Sequence, residues 1–125
     1  MKKSLLLAAL LAFGSLHAYA DCPAPKAMVE IPDGNVAPVE DLVAAKKALA
    51  QYDADVKAYG TCLEEDTQKQ IDALTPKATS ATQNKAINIK NEAARKLNQE
   101  VDKLTAAAEK LNQQIRAFKA RSSKG

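Results

Sequence analysis

The sequence predicts an all-α protein, an antiparallel two-helix coiled-coil hairpin with an extended, Pro-rich N-terminal segment tethered by a disulfide to the first helix. Three observations predict this fold class. Apolar residues recur at heptad spacing in two long stretches, a short proline-containing stretch separates them, and the chain has only two cysteines. Apolar residues at steps of three and four indicate helices that pack along a seam.

The N-terminus has the pattern of a bacterial secretory signal. Two lysines precede an apolar run over residues 5–13, and Ala18-Tyr19-Ala20 supplies the small residues that signal peptidase requires. A run of about nine residues extends only ~14 Å as a helix, well short of a bilayer core of about 30 Å. We therefore expect residues 1–20 to be a signal peptide that is cleaved between Ala20 and Asp21.

Cleavage at that point predicts a periplasmic or secreted protein with no transmembrane segment. Lipidation of Cys22 is the minor alternative, because a lipidated cysteine follows a small residue and here it follows Asp21. In an oxidising compartment two cysteines most simply form a disulfide. A Cys22–Cys62 bridge would close a loop of about 40 residues and contribute about 4 kcal/mol. Intermolecular pairing and a redox-active pair remain open as alternatives.

Residues 21–38 are predicted to be extended, because four prolines and a Pro-Asp-Gly turn forbid a continuous helix. Helix 1 is predicted over residues 39–74. Pro38 is well suited to the start of a helix, and acidic residues follow in the first turn. Its seam consists of two heptad rows: Leu42, Leu49, Val56 and Leu63, with Ala45, Tyr52 and Tyr59.

A connection is predicted over residues 75–81, where Pro76 and small polar residues interrupt the pattern. Helix 2 follows over residues 82–120, and a basic tail over 121–125. Ser80 and Gln83 have the spacing of a capping box, and Thr75 before Pro76 is the rival start. The seam of helix 2 is predicted as two rows: Ile87, Ala94, Val101, Ala108 and Ile115, with Leu97, Leu104, Leu111 and Phe118.

Charge is divided between the two halves of the chain. Residues 21–74 carry 11 acidic and 5 basic side chains, whereas residues 75–125 carry 4 acidic and 11 basic ones. The first interpretation is that the two helices neutralise each other, with Glu64, Glu65 and Asp66 near the basic residues Lys90, Arg95 and Lys96. The second is a basic face for an anionic partner.

Lys96, Lys103 and Lys110 repeat every seven residues and form a candidate partner surface on helix 2. Such a stripe could bind anionic lipid or lipopolysaccharide, although a solvated helix flank is the simpler interpretation. Nucleic acid is an unlikely ligand, because no aromatic residues lie among the lysines for stacking. Tyr52 and Tyr59 could form a binding patch, but their seam positions favour the core.

The first half of the chain resembles a known family. Cys-Pro at residues 22–23, IPDG at residues 31–34 and EDLVAAKKALAQYDADVKAYGTCLEED at residues 40–66 carry the resemblance. They are similar to a family of small, uncharacterised exported proteins of Gram-negative bacteria, and the Tyr-x6-Tyr-x2-Cys-Leu spacing is the most specific part. The resemblance implies an envelope location and a proline segment tied to a helix. It implies no activity or substrate.

The chemistry of the cleaved chain argues against an enzyme. His17 is the only histidine and leaves with the signal peptide, which excludes Ser-His and Cys-His catalysis and any His-ligated metal site. No Gly-rich phosphate loop is present, so no cofactor or metal is predicted. Glu64, Glu65 and Asp66 could bind a divalent cation loosely, but they lack the ligand spacing of a calcium loop.

The leading hypothesis is therefore a non-enzymatic helical-hairpin interaction or scaffold protein of the periplasm. A narrow core leaves two long faces, which can bury their apolar surface by self-association or against a protein partner. The alternatives are a holdase-like chaperone and a binder of anionic envelope surfaces through the lysine stripe.

Overall fold

The computed structural model describes residues 22–26, 30–74 and 79–125. Helix α1 spans Val39–Leu74 and helix α2 spans Ser80–Ser122, and the two pack against each other in opposite directions. The described residues contain no strand, so the predicted all-α hairpin is confirmed. The predicted signal peptide and residues 75–78 of the predicted connection, including the rival helix start, lie outside the described residues.

The ends of the helices agree with the expected chemistry, with one shift in α2. Helix α1 has the predicted bounds and carries Glu40 and Asp41 in its first turn. Helix α2 begins at Ser80, two residues before the predicted start, because Thr79 rather than Ser80 is the N-cap. The Thr79 hydroxyl accepts the N–H of Thr82 at 3.3 Å, and the Thr82 hydroxyl accepts the N–H of Thr79 at 2.8 Å.

At its other end α2 continues to Ser122, two residues past the predicted end. Lys119 and Arg121 lie in the last turn, where cations interact favourably with the helix dipole. Arg121 therefore belongs to the helix and not to the predicted tail. In the described part of the chain, neither helix is both long and apolar enough to cross a membrane.

The seam of α1 matches the heptad prediction. Six of its seven residues are buried, and Leu49 is half-buried against the core: the buried six are Leu42, Ala45, Tyr52, Val56, Tyr59 and Leu63. Because these apolar residues of α1 share a single face, they are buried together when that face packs against α2.

The seam of α2 is rotated relative to the prediction. The predicted Leu97, Leu104, Leu111 and Phe118 row is buried or half-buried. In the other predicted row Ala108 and Ile115 are half-buried, and Ile115 packs against the core, but Ile87, Ala94 and Val101 are exposed. Their place is taken by residues one position earlier, which are all buried or half-buried: Ala86, Ala93, Glu100, Ala107 and Gln114.

Two physical reasons account for this rotation. Alanine is small enough to accommodate the bulky tyrosines of α1, and the buried Tyr52 hydroxyl needs a hydrogen-bond acceptor. Glu100 provides that acceptor, at 2.6 Å from the hydroxyl. Rotating α2 to bring in the alanines and Glu100 moves Val101 outward, where it is 40% exposed.

The N-terminal segment is tethered as predicted. Cys22 and Cys62 form a disulfide, with their Cα atoms 5.8 Å apart. Near the start of α1 the segment joins the core through Ile31, which packs with Leu42, Ala45 and Leu111. The segment thus covers the end of the hairpin where α1 begins and α2 ends.

A second anchor holds this segment against the end of α2. The N–H of Gly34 donates to Oε1 of Gln114 at 2.8 Å. The Arg121 guanidinium donates to the carbonyls of Asn35 and Ala37, both at 2.8 Å, and lies 5.0 Å from the centre of the Phe118 ring. The segment is therefore fixed by a covalent bond at one end and by α2 at the other.

Candidate interaction surfaces

The hairpin has one end with a core and one end without. The basal end, near the N-terminal segment, contains every buried residue that the structure describes. We call residues 64–74 of α1 and 80–96 of α2 the distal half. None of its residues is buried, although it includes Ile71, Leu74, Ile87 and Ile89. Apolar side chains that stay half-exposed along one region mark a surface that can bind another molecule.

Two grooves flank the helix–helix contact at the border of the distal half. The larger, of about 450 Å³, is lined by apolar and small residues that include Leu63, Ile71, Ala93 and Leu97. The smaller, of about 230 Å³, lies on the opposite side and shares Leu63 and Ala93, with Ile89 as a further apolar residue. The larger groove is therefore mainly apolar, whereas the smaller one combines a few apolar residues with a mostly polar lining.

Close helix approach beside the larger groove depends on Gly60. A Cβ atom built on Gly60 would lie 3.3 Å from Cδ1 of Leu97, tighter than ordinary van der Waals contact. Helix α1 continues through Gly60 as one helix. Gly60 lets α2 come close to α1 where the basal core ends.

Charged residues line the rims of both grooves without pairing across them. Asp66 and Lys96 line the smaller groove, and Glu64 and Lys90 line the larger one. The three ion pairs that the described residues form all lie within a single helix. The acidic and basic helices thus lie side by side, but the predicted neutralisation by direct contact does not occur in the described part.

The rotation of α2 leaves a second face of that helix unburied, which we call the outer stripe. Its residues follow at alternating steps of four and three, and none is charged: Ile87, Asn91, Ala94, Asn98, Val101, Thr105, Ala108 and Asn112. Ala108 is half-buried and the other seven are exposed. Ile87 is 55% exposed, an unusually open position for an isoleucine.

The predicted lysine stripe is present on α2 but is partly neutralised. Lys96 pairs with Glu92 at 3.3 Å, and Lys103 pairs with Glu100 at 2.7 Å. Lys110 is exposed. Because carboxylates lie beside two of the three lysines, the field that this stripe presents to an anionic surface is weaker than the sequence alone suggests.

Tyr52 and Glu100 meet inside the helix contact, and the exposed Lys103 reaches Glu100 from its edge. The Tyr52 hydroxyl donates to Oε2 of Glu100 at 2.6 Å, and Lys103 donates to Oε1 at 2.7 Å. These hydrogen bonds hold the pKa of Glu100 below its usual value, the one from Lys103 contributing most. Removal from water, followed by the bond to Glu100, raises the pKa of Tyr52 to about 12.

This network makes stability sensitive to alkaline pH. An unfolded Tyr52 ionises near pH 10, whereas the folded one ionises near 12, so the folded state binds more protons between these values. The contribution of Tyr52 is complete below pH 10 and is lost as pH rises to about 12. We expect the urea midpoint to fall over this window and to fall less in the Tyr52→Phe variant.

The ionisation itself can be measured by ultraviolet absorbance of tyrosinate. In a protein that begins at Asp21, the Tyr59→Phe variant leaves Tyr52 as the single tyrosine. Its absorbance is expected to rise near pH 12 in the folded state and near pH 10 in urea. Equal midpoints in the two conditions would contradict burial of the hydroxyl.

The tyrosines do not form the alternative binding patch. Tyr52 and Tyr59 are only 4% and 8% exposed, so both belong to the helix contact, as their seam positions favoured. Glu100 was missed by sequence reasoning, because a glutamate among lysines on a long helix resembles a solvated charge. Its position three residues after Leu97, on the same side as Ala93 and Ala107, was the available signal.

A third groove, of about 590 Å³, lies between the proline segment and α1 beside the disulfide. Its lining includes Pro23, Pro25, Tyr59 and Cys62, with Asp55 as its one acidic residue. The acidic cluster Glu64, Glu65 and Asp66, considered from the sequence as a loose cation site, gains no support, since the described residues contain no group of three potential metal ligands.

These features define a class of protein: a disulfide-tethered helical hairpin with a closed basal core and open distal and outer surfaces. Comparisons with family models, curated proteins and solved structures give no significant match. The resemblance to an exported Gram-negative family therefore remains a prediction from residues 22–66.

Proposed function

We propose that this protein is a non-enzymatic helical-hairpin interaction protein of the bacterial cell envelope, whose distal half binds a segment of another protein. The observation that carries the proposal is the contrast between the two ends of the hairpin. Every buried residue of the described chain lies in the basal part, whereas the apolar residues of the distal half stay half-exposed beside two grooves.

The chemistry of the grooves favours a protein partner. Both grooves contain the apolar residues Leu63 and Ala93. Both also carry the two signs of charge, with Asp66 and Lys96 on one and Glu64 and Lys90 on the other. A partner segment with apolar side chains and flanking charges of both signs would match this lining. An anionic lipid surface would match it less well, because two of the three stripe lysines already pair with carboxylates.

The size of the grooves supports a defined partner rather than a holdase. Volumes of about 450 Å³ and 230 Å³ accommodate a few side chains each. A holdase needs a broad apolar surface that many unfolded chains can occupy. The envelope location follows from the predicted signal peptide and agrees with the disulfide, which persists in oxidising compartments.

Site-specific photo-cross-linking in intact cells tests the proposal. A photoreactive residue replaces Gln68, which lines the larger groove, or Lys47, which is exposed on basal α1. We expect the chain labelled at position 68 to cross-link to a discrete protein, and the chain labelled at position 47 not to do so. Equal cross-linking from both positions would argue against a distal binding surface.

A groove-filling variant provides the specificity control. Ala93 lines both grooves, so Ala93→Trp is expected to abolish the cross-link from position 68. Ala106→Trp adds the same bulk at an exposed basal position and is expected to leave the cross-link unchanged. Circular dichroism of both variants verifies that the helices remain folded, and a cross-link that survives Ala93→Trp would contradict the proposal.

A further inference from the structure

The outer stripe has the spacing of a second coiled-coil seam on α2. Its alternating steps of four and three continue for about 25 residues, or roughly 38 Å of helix. Charged residues occur along the whole of α2, yet they are absent from this stripe. Four aliphatic residues, Ile87, Ala94, Val101 and Ala108, alternate with asparagine or threonine. Asparagine at seam positions sets the register and the number of helices that associate.

Nothing in the described part of the chain covers this stripe. Helix α1 contacts the opposite flank of the leucine row, where Ala93, Glu100 and Ala107 lie. The N-terminal segment reaches α2 at Gln114 and Arg121, which also lie away from the stripe. The seven exposed residues of the stripe are therefore open to a second helix, and only Ala108 is half-buried.

We infer that the outer stripe pairs with the outer stripe of a second copy of this chain, with the two α2 helices antiparallel. A two-fold axis between Asn98 and Val101 places Val101 of each copy opposite Asn98 of the other. The same axis places Ala94 opposite Thr105. Each layer of the contact then combines an aliphatic side chain with an asparagine or threonine.

The charges beside the stripe select the second copy and the antiparallel direction. Arg95 and Asp102 flank the stripe on its solvent side and are exposed, and neither belongs to an ion pair among the described residues. In the antiparallel arrangement Arg95 of each copy lies beside Asp102 of the other, which gives two ion pairs by symmetry. A parallel arrangement would instead place Lys90 beside Arg95 of the second copy, and these like charges repel.

This pairing adds a second surface to the proposed function. The surface adjoins the larger groove at Ala94, whereas Ala93, which lines both grooves, lies on the opposite flank of the leucine row. Only Ile87 and Val101 contribute large aliphatic side chains, so we expect a reversible dimer rather than an obligate one. Sedimentation equilibrium of the exported full chain tests this from about 10 μM to 1 mM, the range of weak association. A monomer at the highest concentration would overturn the inference.

Exchanging the charges of Arg95 and Asp102 tests whether the two α2 helices pair in the antiparallel direction. Asp102→Arg places Arg95 beside a second arginine, and we expect it to weaken dimerisation at least about tenfold. Arg95→Asp is expected to weaken it similarly, and the double variant Arg95→Asp/Asp102→Arg is expected to restore it. Lys110→Asp is the matched control for charge, because Lys110 lies on the far side of α2, and it should leave association unchanged.

The outcomes separate this inference from the proposed function. Stronger dimerisation of the Arg95→Asp variant would indicate parallel pairing. An unchanged dimer dissociation constant for Asp102→Arg would exclude the outer stripe as the dimer interface. Ala93→Trp fills the grooves and should abolish partner cross-linking without affecting dimerisation. Loss of dimerisation in Ala93→Trp, with Asp102→Arg unaffected, would place self-association in the distal half and overturn the inference.

Discussion

Replacing both cysteines, in the variant Cys22→Ala/Cys62→Ala, is expected to lower the free energy of unfolding by about 4 kcal/mol. The disulfide joins residues 40 apart, so it removes much of the freedom of the unfolded chain. Domains of this size have about 5–15 kcal/mol in total. The disulfide therefore supplies a large share of the stability of this hairpin.

The loss is large because most of the described residues next to Cys22 are exposed and make few contacts of their own. Pro23, Ala24 and Lys26 are exposed, whereas the buried residues of the described segment, Ile31, Gly34 and Ala37, all lie far from the disulfide along the chain. Once the bond is removed, the ordering of residues 22–26 has little to offset its entropy. Ile31 and the Arg121 contacts are expected to hold residues 30–38 in place in the variant.

Urea denaturation followed by helix circular dichroism measures the effect. Thr61→Ala is the matched control, because Thr61 is exposed beside Cys62. Its free energy of unfolding should change by no more than about 0.5 kcal/mol. Reduction of the unmodified protein should reproduce the loss seen in the double variant. A change below about 1 kcal/mol in the double variant would contradict the chain-entropy account.

Helix α1 could be predicted closely from the sequence because its pattern has one solution. Leu42, Val56 and Leu63 lie on a single face, and no competing apolar face exists beside it. The disulfide could also be predicted, since only two cysteines are present and the span between them fits an extended segment. Local periodicity and covalent chemistry sufficed for these elements.

Helix α2 could not be predicted to the same depth, because its leucine row has apolar neighbours on both flanks. One flank holds Ile87 and Val101, and the other holds Ala93 and Ala107. Hydrophobicity favoured the larger residues, but the tyrosines of α1 determine which flank can pack. That choice depends on long-range contacts such as the one between Tyr52 and Glu100, which no local pattern encodes.

The same limit applies to the N-terminal segment. Both Ile31 and Val36 are large aliphatic residues of this segment, yet Ile31 is buried in the core and Val36 is 75% exposed. The turn at residues 33–37 directs Val36 outward, because the N–H groups of Val36 and Ala37 both donate to the carbonyl of Asp33.

Replacing Gly34 by alanine is expected to destabilise the protein by about 2–3 kcal/mol, the second large effect. A Cβ atom at position 34 would lie 1.8 Å from the backbone carbonyl oxygen of Gln114. A carbonyl within a helix cannot move aside without breaking helix hydrogen bonds, so the segment itself must shift. That shift breaks the bond between Gly34 and Gln114 and draws Ile31 out of its contacts with Leu111.

Backbone conformation does not contribute to this loss. Gly34 has no positive φ, so alanine can adopt its conformation and would even reduce the entropy of the unfolded chain slightly. Crowding against Gln114 is therefore the whole cause. Val36→Ala is the matched control in the same turn, because its side chain is exposed, and it should change the free energy of unfolding by about 0.5 kcal/mol or less.

A second substitution distinguishes backbone crowding from side-chain crowding. Gln114→Ala removes the acceptor of the Gly34 N–H and is expected to lower the free energy of unfolding by about 1 kcal/mol. It leaves the backbone carbonyl in place, so Gly34→Ala/Gln114→Ala should be no more stable than Gly34→Ala. Hydrogen exchange should show residues 30–38 opening in Gly34→Ala while α1 and α2 keep their protection. Recovery of stability in the double variant would show that the Gln114 side chain, rather than close approach of the two backbones, requires glycine at this position.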